Sequence, residues 1–169
     1  MFTEKLKNMY SITFIVLLMS WLFFIFYNSS QPYQAQTIIP QLQQLFQRET
    51  LIAWLPNWTI SYGDTYVQAH AEPYDFVEFI VRKLAHVAQY AVCGLFAAML
   101  FGRIFSTTWK YALSTIGLAV CIALLDEFNQ SFNPNRTGNL WDVGIDTFGA
   151  VLGLLCYWLG TNIVKRSKR

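Results

Sequence analysis

Between Lys7 and Arg48 the chain carries no charged residue, and Met9–Tyr27 within that gap is apolar almost throughout. A helix needs about 20 mostly apolar residues to cross a bilayer, so 9–27 is long enough by itself. Three later stretches repeat the pattern. Leu84–Phe101 has His86 as its only group that charges near neutral pH. Tyr111–Leu125 is short but extends through Phe128, and Trp141–Gly160 is long enough although Asp142 and Asp146 interrupt its start. The pattern predicts an all-α fold. A single polytopic membrane domain, 1–169, holds a four-transmembrane-helix bundle with helices near 9–27, 84–101, 110–128 and 141–160.

The remaining segment, 28–80, joins the first two helices and is not a uniform linker. "TIIPQLQQLFQRETLIAWL" sets Ile38, Leu42, Leu45, Phe46 and Ile52 near one helical stripe with glutamines opposite. That pattern predicts an amphipathic helix on the membrane surface or over the bundle mouth. Beyond it, Pro56, Gly63 and Pro73 mark irregular structure.

Lysines and arginines orient the bundle. Lys5 and Lys7 precede the first helix, Arg103 and Lys110 join the second to the third, and Lys165, Arg166, Lys168 and Arg169 follow the fourth. All three groups fall on one side of a four-helix chain, so the positive-inside rule predicts both termini in the cytoplasm. Arg82 and Lys83 weigh mildly the other way. The first apolar run exceeds the core of a signal peptide and lacks a clear small-x-small cleavage site, so it reads as an uncleaved helix.

Composition agrees. The 169 residues are 54% hydrophobic and 17% aromatic, with only 13% charged, about half the roughly 25% of soluble domains. Lipid must cover much of the surface. A net charge of +2, without a basic run interleaved with aromatics, argues against nucleic acid as a partner. Cys93, Cys121 and Cys156 lie in apolar runs without CxxC spacing and read as small hydrophobes.

Charged groups are unexpected in such a chain, yet they gather at one depth. His86 lies near the outer end of the second helix, Asp126 and Glu127 near that of the third, and Asp142 at the outer start of the fourth. Lys83, His86 and Tyr90 share one helical face, Glu127 and Gln130 another, and Asp142 and Asp146 a third. Asp146 lies about 6 Å deeper than Asp142 and needs a partner there. Asp126 and Glu127 are adjacent and cannot share a face, so Glu127 is expected inward and Asp126 toward solvent. His86 alone reads as a packed core histidine, and Arg136 in the turn "NPNRTG" reads as a counter-ion or as an anion ligand. Gly149 and Gly153, with Ala91, Gly94 and Ala98, form small-xxx-small patterns that favour close helix packing.

"RKLAHVAQY" followed by "DEFNQSFNPNRTGNLWDVGIDTFGAVLG" resembles the VanZ-like family over about Val81–Leu159. The resemblance rests on K-x-x-H-x-x-x-Y, then E-x-x-Q, a turn with arginine, and D-V before glycines. It implies functional positions at Lys83, His86, Tyr90, Glu127, Gln130, Arg136 and Asp142. Where relatives commonly have asparagine this chain has Asp146, and the long 28–80 segment lies outside the pattern. The resemblance implies a bacterial membrane protein; the family's namesake is associated with resistance to teicoplanin.

Two functions are open at this stage. In one, an outward-facing polar site recognises an anionic, lipid-linked envelope component or a lipoglycopeptide, with Lys83, Tyr90, Gln130, Arg136 and Asp146 binding. In the other, an outer-leaflet enzyme performs acid–base or metal-assisted chemistry on a lipid-linked phosphate, with His86, Glu127 and Asp142 catalytic. No compact metal motif such as HExxH is present, so no metal ligand is assigned, and no cofactor is identified. Chemistry calls for a solvent-reachable histidine–carboxylate pair. A purely structural clamp calls for complete mutual pairing.

Overall fold

A computed structural model of the chain describes residues 2–63, 65–132 and 139–167. Three long helices follow the apolar stretches: α1 (Phe2–Ser29), α6 (Thr108–Ser131) and α7 (Leu140–Ser167). Between α1 and α6 come three short helices, α2 (Tyr33–Gln36), α3 (Ile39–Leu45) and α4 (Arg48–Trp54), then a hairpin of β1 (Thr59–Tyr62) and β2 (Thr65–Gln68), and the long helix α5 (Pro73–Ile104). Among the described residues, four helices are long and apolar enough to cross a membrane, Met9–Ser29 within α1 and the whole of α5, α6 and α7. The fold is an all-α polytopic membrane bundle with a small β-hairpin.

Lipid-type surface covers the outside. Ile12, Phe23, Leu113 and Phe148 are all exposed, which water would penalise and acyl chains do not. Inside, Leu18 and Ile25 of α1 pack with Tyr90, Cys93 and Ala97 of α5 and with Ile122 and Ala123 of α6. Trp21 adds a directed contact, its indole Nε1 donating to Gln89 O at 2.8 Å.

The α5–α7 seam is the most extensive helix contact, and glycine is its cause. A Cβ on Gly149 would collide with Val87 O, one on Gly153 with Ala91 O, and one on Gly94 with the Ala150 backbone. Residue numbers rise together across the seam, so α5 and α7 run parallel. The small-xxx-small expectation is thereby given its partner.

Two expectations about the 28–80 segment require correction. Its amphipathic stretch is not one helix. Gln47 adopts extended backbone (φ −70, ψ 148) between α3 and α4, and Tyr74 Oη donates to the Phe46 carbonyl at 2.9 Å. A tertiary hydrogen bond therefore satisfies the carbonyl at the break. The second long helix also starts at Pro73 rather than near Leu84, so the connecting segment ends earlier than 80. Proline suits that first turn because its missing N–H is unpaired there in any helix.

The short elements cap one end of the bundle. Glu78 of α5 accepts hydrogen bonds from Thr37 Oγ1 (2.6 Å) and Ile38 N (2.9 Å), and Gln36 Nε2 donates to Asn28 O. Burial and the Glu78 contact push the Tyr33 phenol above its usual value. In the hairpin, Ile60 pairs with Val67 and Tyr62 with Thr65. Gly63 takes φ +57 and lies so close to Asn139 that a Cβ would meet its Nδ2 at 2.6 Å. The hairpin turn thus rests on the start of α7.

Candidate functional site

Helix geometry and the glycine seam together build the polar end. Lys83 and His86 are three apart on α5, Asp142 and Asp146 four apart on α7. Two parallel helices in close contact match such pairs rung by rung. The Lys83 ammonium bonds Asp142 Oδ1, and His86 Nδ1 lies 3.1 Å from Asp146 Oδ1. With Asp146 ionised and His86 carrying a hydrogen on Nδ1, that nitrogen donates the bond; with Asp146 protonated, the roles reverse.

The first rung is reinforced from the hairpin. Tyr62 Oη donates to Asp142 Oδ1 at 2.7 Å, while Lys83 Nζ lies 4.4 Å from the Tyr62 ring centroid and 5.3 Å from that of Phe79. Burial first, then the hydrogen bond to Asp142, raises the Tyr62 phenol well above its ordinary value. The second rung is deeper: the Asp146 side chain is fully buried, whereas that of His86 is 21% exposed. Among the described residues, Asp146 Oδ2 has no hydrogen-bond partner.

Helix α6 contributes two carboxylates in different directions. Asp126 was expected to face solvent, but it is 1% exposed. The correction follows from packing: α6 contacts α1, α5 and α7, so adjacent residues each find a protein neighbour. Gln130 Nε2 donates to Asp126 Oδ2 at 3.0 Å. Glu127, buried as expected, accepts from Asn139 N at 2.5 Å through Oε2. Asn139 in turn receives the Trp141 N–H on Oδ1 (3.1 Å), capping α7. Glu127 Oε1 has no hydrogen-bond partner among the described residues.

Two cavities open onto these groups. One, of about 340 Å³, is lined by Glu78, Arg82, Lys83, Gln130, Asn139 and Asp142 among others. The other, of about 410 Å³, has Phe24, Ile25, Arg82, His86, Asp126 and Gln130 in its walls. Arg82 and Gln130 border both. Arg82 makes no ion pair within 4.0 Å among the described residues, and its guanidinium lies 5.2 Å from the Tyr33 ring centroid. An arginine so placed has donors available for an anion.

Of the positions named from sequence, Lys83, His86, Glu127, Gln130, Asp142 and Asp146 come together at this end. Tyr90 shares their helical face in sequence but is fully buried in the core with Leu18, Ile25 and Cys93, and it lines neither cavity. Arg136 lies outside the described residues. Sequence reasoning missed Arg82, Asp126 and Tyr62 as members. The i,i+4 spacings Arg82–His86 and Asp126–Gln130 were available signals for the first two; no local pattern pointed to Tyr62.

Among curated proteins and among solved structures, no match is found. The VanZ/LLP1 family model matches residues 14–162, nearly the whole chain, the 28–80 segment included. This multi-pass membrane protein therefore belongs to the VanZ/LLP1 family.

Proposed function

We propose that the polar end of the bundle faces the extracytoplasmic side and binds the anionic headgroup of a lipid-linked envelope component or of a lipoglycopeptide. The observation that carries this reading is Arg82. It borders both cavities and holds no ion-paired carboxylate among the described residues. Phe24 and Ile25 of α1 supply an apolar wall beside it, suited to an acyl or prenyl tail. Lys83 is engaged by Asp142, so Arg82 takes the role that the sequence alone assigns to Lys83.

The test is ligand binding by protein reconstituted in neutral nanodiscs, with phosphatidylglycerol, undecaprenyl phosphate and teicoplanin as probes. An anionic probe should bind, and Arg82→Gln should weaken it at least about 10-fold while the melting temperature stays near that of the parent. Equal affinity for phosphatidylcholine, or an unaffected Arg82→Gln, overturns the reading. If teicoplanin is the ligand that matters, expression should raise teicoplanin tolerance and Arg82→Gln should abolish the gain.

A second reading, acid–base chemistry on a lipid-linked phosphate, is supported by the half-buried His86 with Asp146 behind it. A carboxylate that orients an imidazole at a cavity wall is a general-base arrangement. On this reading His86→Gln retains headgroup binding and abolishes phosphate release from undecaprenyl phosphate or its diphosphate. Absence of release by the parent sinks it.

A further inference from the structure

We propose that His86, Asp126 and Asp146 form a binding site for one divalent transition-metal ion of the zinc or manganese class. One ligand atom from each residue, an imidazole nitrogen and two carboxylate oxygens, falls in a group whose members all lie within 4.8 Å of one another. Opposite ligands on one ion are at most about 4.2 Å apart at metal–ligand distances near 2.1 Å, so a small inward rotation of the side chains closes the set.

A second observation points to a ligand independently. Asp146 is 0% exposed, and its Oδ2 has no hydrogen-bond partner among the described residues. A carboxylate oxygen removed from water without a donor is strongly unfavourable, and a cation in the group removes that penalty. Gln130 Nε2 holds Asp126 Oδ2 at 3.0 Å, the kind of outer contact that orients a metal-binding carboxylate. The cavity of about 410 Å³ reaches His86 and Asp126 and offers an entry path with room for water or a headgroup oxygen as further ligand.

The donor set selects the metal. Imidazole with carboxylates suits zinc or manganese, whereas magnesium and calcium favour oxygen alone. The three ligands come from α5, α6 and α7, so no short motif contains them. This site does not depend on the headgroup reading, because its three protein ligands come from His86, Asp126 and Asp146 and water can complete the shell.

The experiment uses the full chain in detergent, stripped with a chelator, desalted, and titrated with Co²⁺ and then Zn²⁺ without added lipid. One Co²⁺ per chain should bind with weak visible d–d bands and no thiolate charge-transfer band, and Zn²⁺ should displace it. Asp146→Asn and His86→Gln should each weaken binding at least about 10-fold, and zinc should raise the melting temperature of the parent more than that of either variant. A chain without Cys93, Cys121 and Cys156 should bind as the parent does. No binding by folded parent, a thiolate band, or unchanged affinity in folded Asp146→Asn and His86→Gln overturns the proposal. Where a variant does not fold, the stoichiometry and spectrum of the parent decide.

Discussion

Tyr62, on the hairpin, donates its phenol hydrogen to Asp142 of α7 across 2.7 Å, although 80 positions separate them in the chain. The same carboxylate oxygen receives the Lys83 ammonium from α5, and that ammonium lies over the Tyr62 ring. Three elements meet at one oxygen. Tyr62→Phe keeps the ring and removes the donor, which isolates the hydrogen bond. Bonds to charged acceptors contribute about 1.5–3 kcal/mol; the partly exposed setting argues for the low end, about 1.5 kcal/mol. Thermal unfolding in detergent should show that loss, and limited proteolysis should cut 55–72 faster. Parent-like behaviour in both would mean that the hairpin is held by other contacts.

The same phenol predicts a pH dependence. Burial, followed by the hydrogen bond to Asp142, raises it well above its ordinary value of 10.0. A raised folded value means that the folded protein favours the protonated phenol. Its contribution is complete below pH about 10 and is lost as pH rises from there toward the folded value. Above pH about 10, the melting temperature of the parent should fall more steeply than that of Tyr62→Phe. Parallel slopes refute the assignment.

Close approach of α5 and α7 is the condition for both rungs. Gly153→Ala sets a Cβ against Ala91 O, a backbone atom that cannot turn aside, whereas Gly144 and Gly160 have nothing within 4 Å of an added Cβ. Overpacking of this kind destabilises by about 1–3 kcal/mol, and backbone contact argues for the upper end. Gly153→Ala should lower yield and melting temperature; Gly144→Ala and Gly160→Ala should match the parent. Equal stability of all three variants would show that the seam has slack.

Orientation is tested by labelling in a chain freed of its native cysteines. A cysteine at Tyr66, exposed on the hairpin, should react with an impermeant reagent from outside intact cells. One at Ser167, at the end of α7, should react only after permeabilisation. Reaction of both from the same side is incompatible with the topology proposed from the Lys and Arg distribution.

The number of membrane helices was readable along the chain because apolar length is a local property, and α1, α6 and α7 follow it. Helix α5 was cut short for the same reason. Asp75, Glu78, Arg82 and Lys83 fail an apolar criterion, yet Glu78 faces Thr37 and Ile38 and Lys83 faces Asp142, protein groups rather than lipid. Periodicity likewise showed that Lys83 and His86 share a face and that Asp142 and Asp146 share another.

Which side chain meets which was decided by tertiary structure. Pairing depends on register between helices far apart in sequence, and Gly149 and Gly153 set it by admitting the Val87 and Ala91 carbonyls. The inward turn of Asp126 depends on a helix having several neighbours, a fact that no single-face periodicity contains. The break at Gln47, the hairpin and the Tyr62–Asp142 bond depend on contacts with α5 and α7 that exist only once the bundle has closed. The sequence by itself determined the number of spans and the helical faces that carry charge, because hydrophobic length and helical pitch act residue by residue. Partner choice came from packing, because hydrogen bonds and ion pairs act over a few ångströms in space.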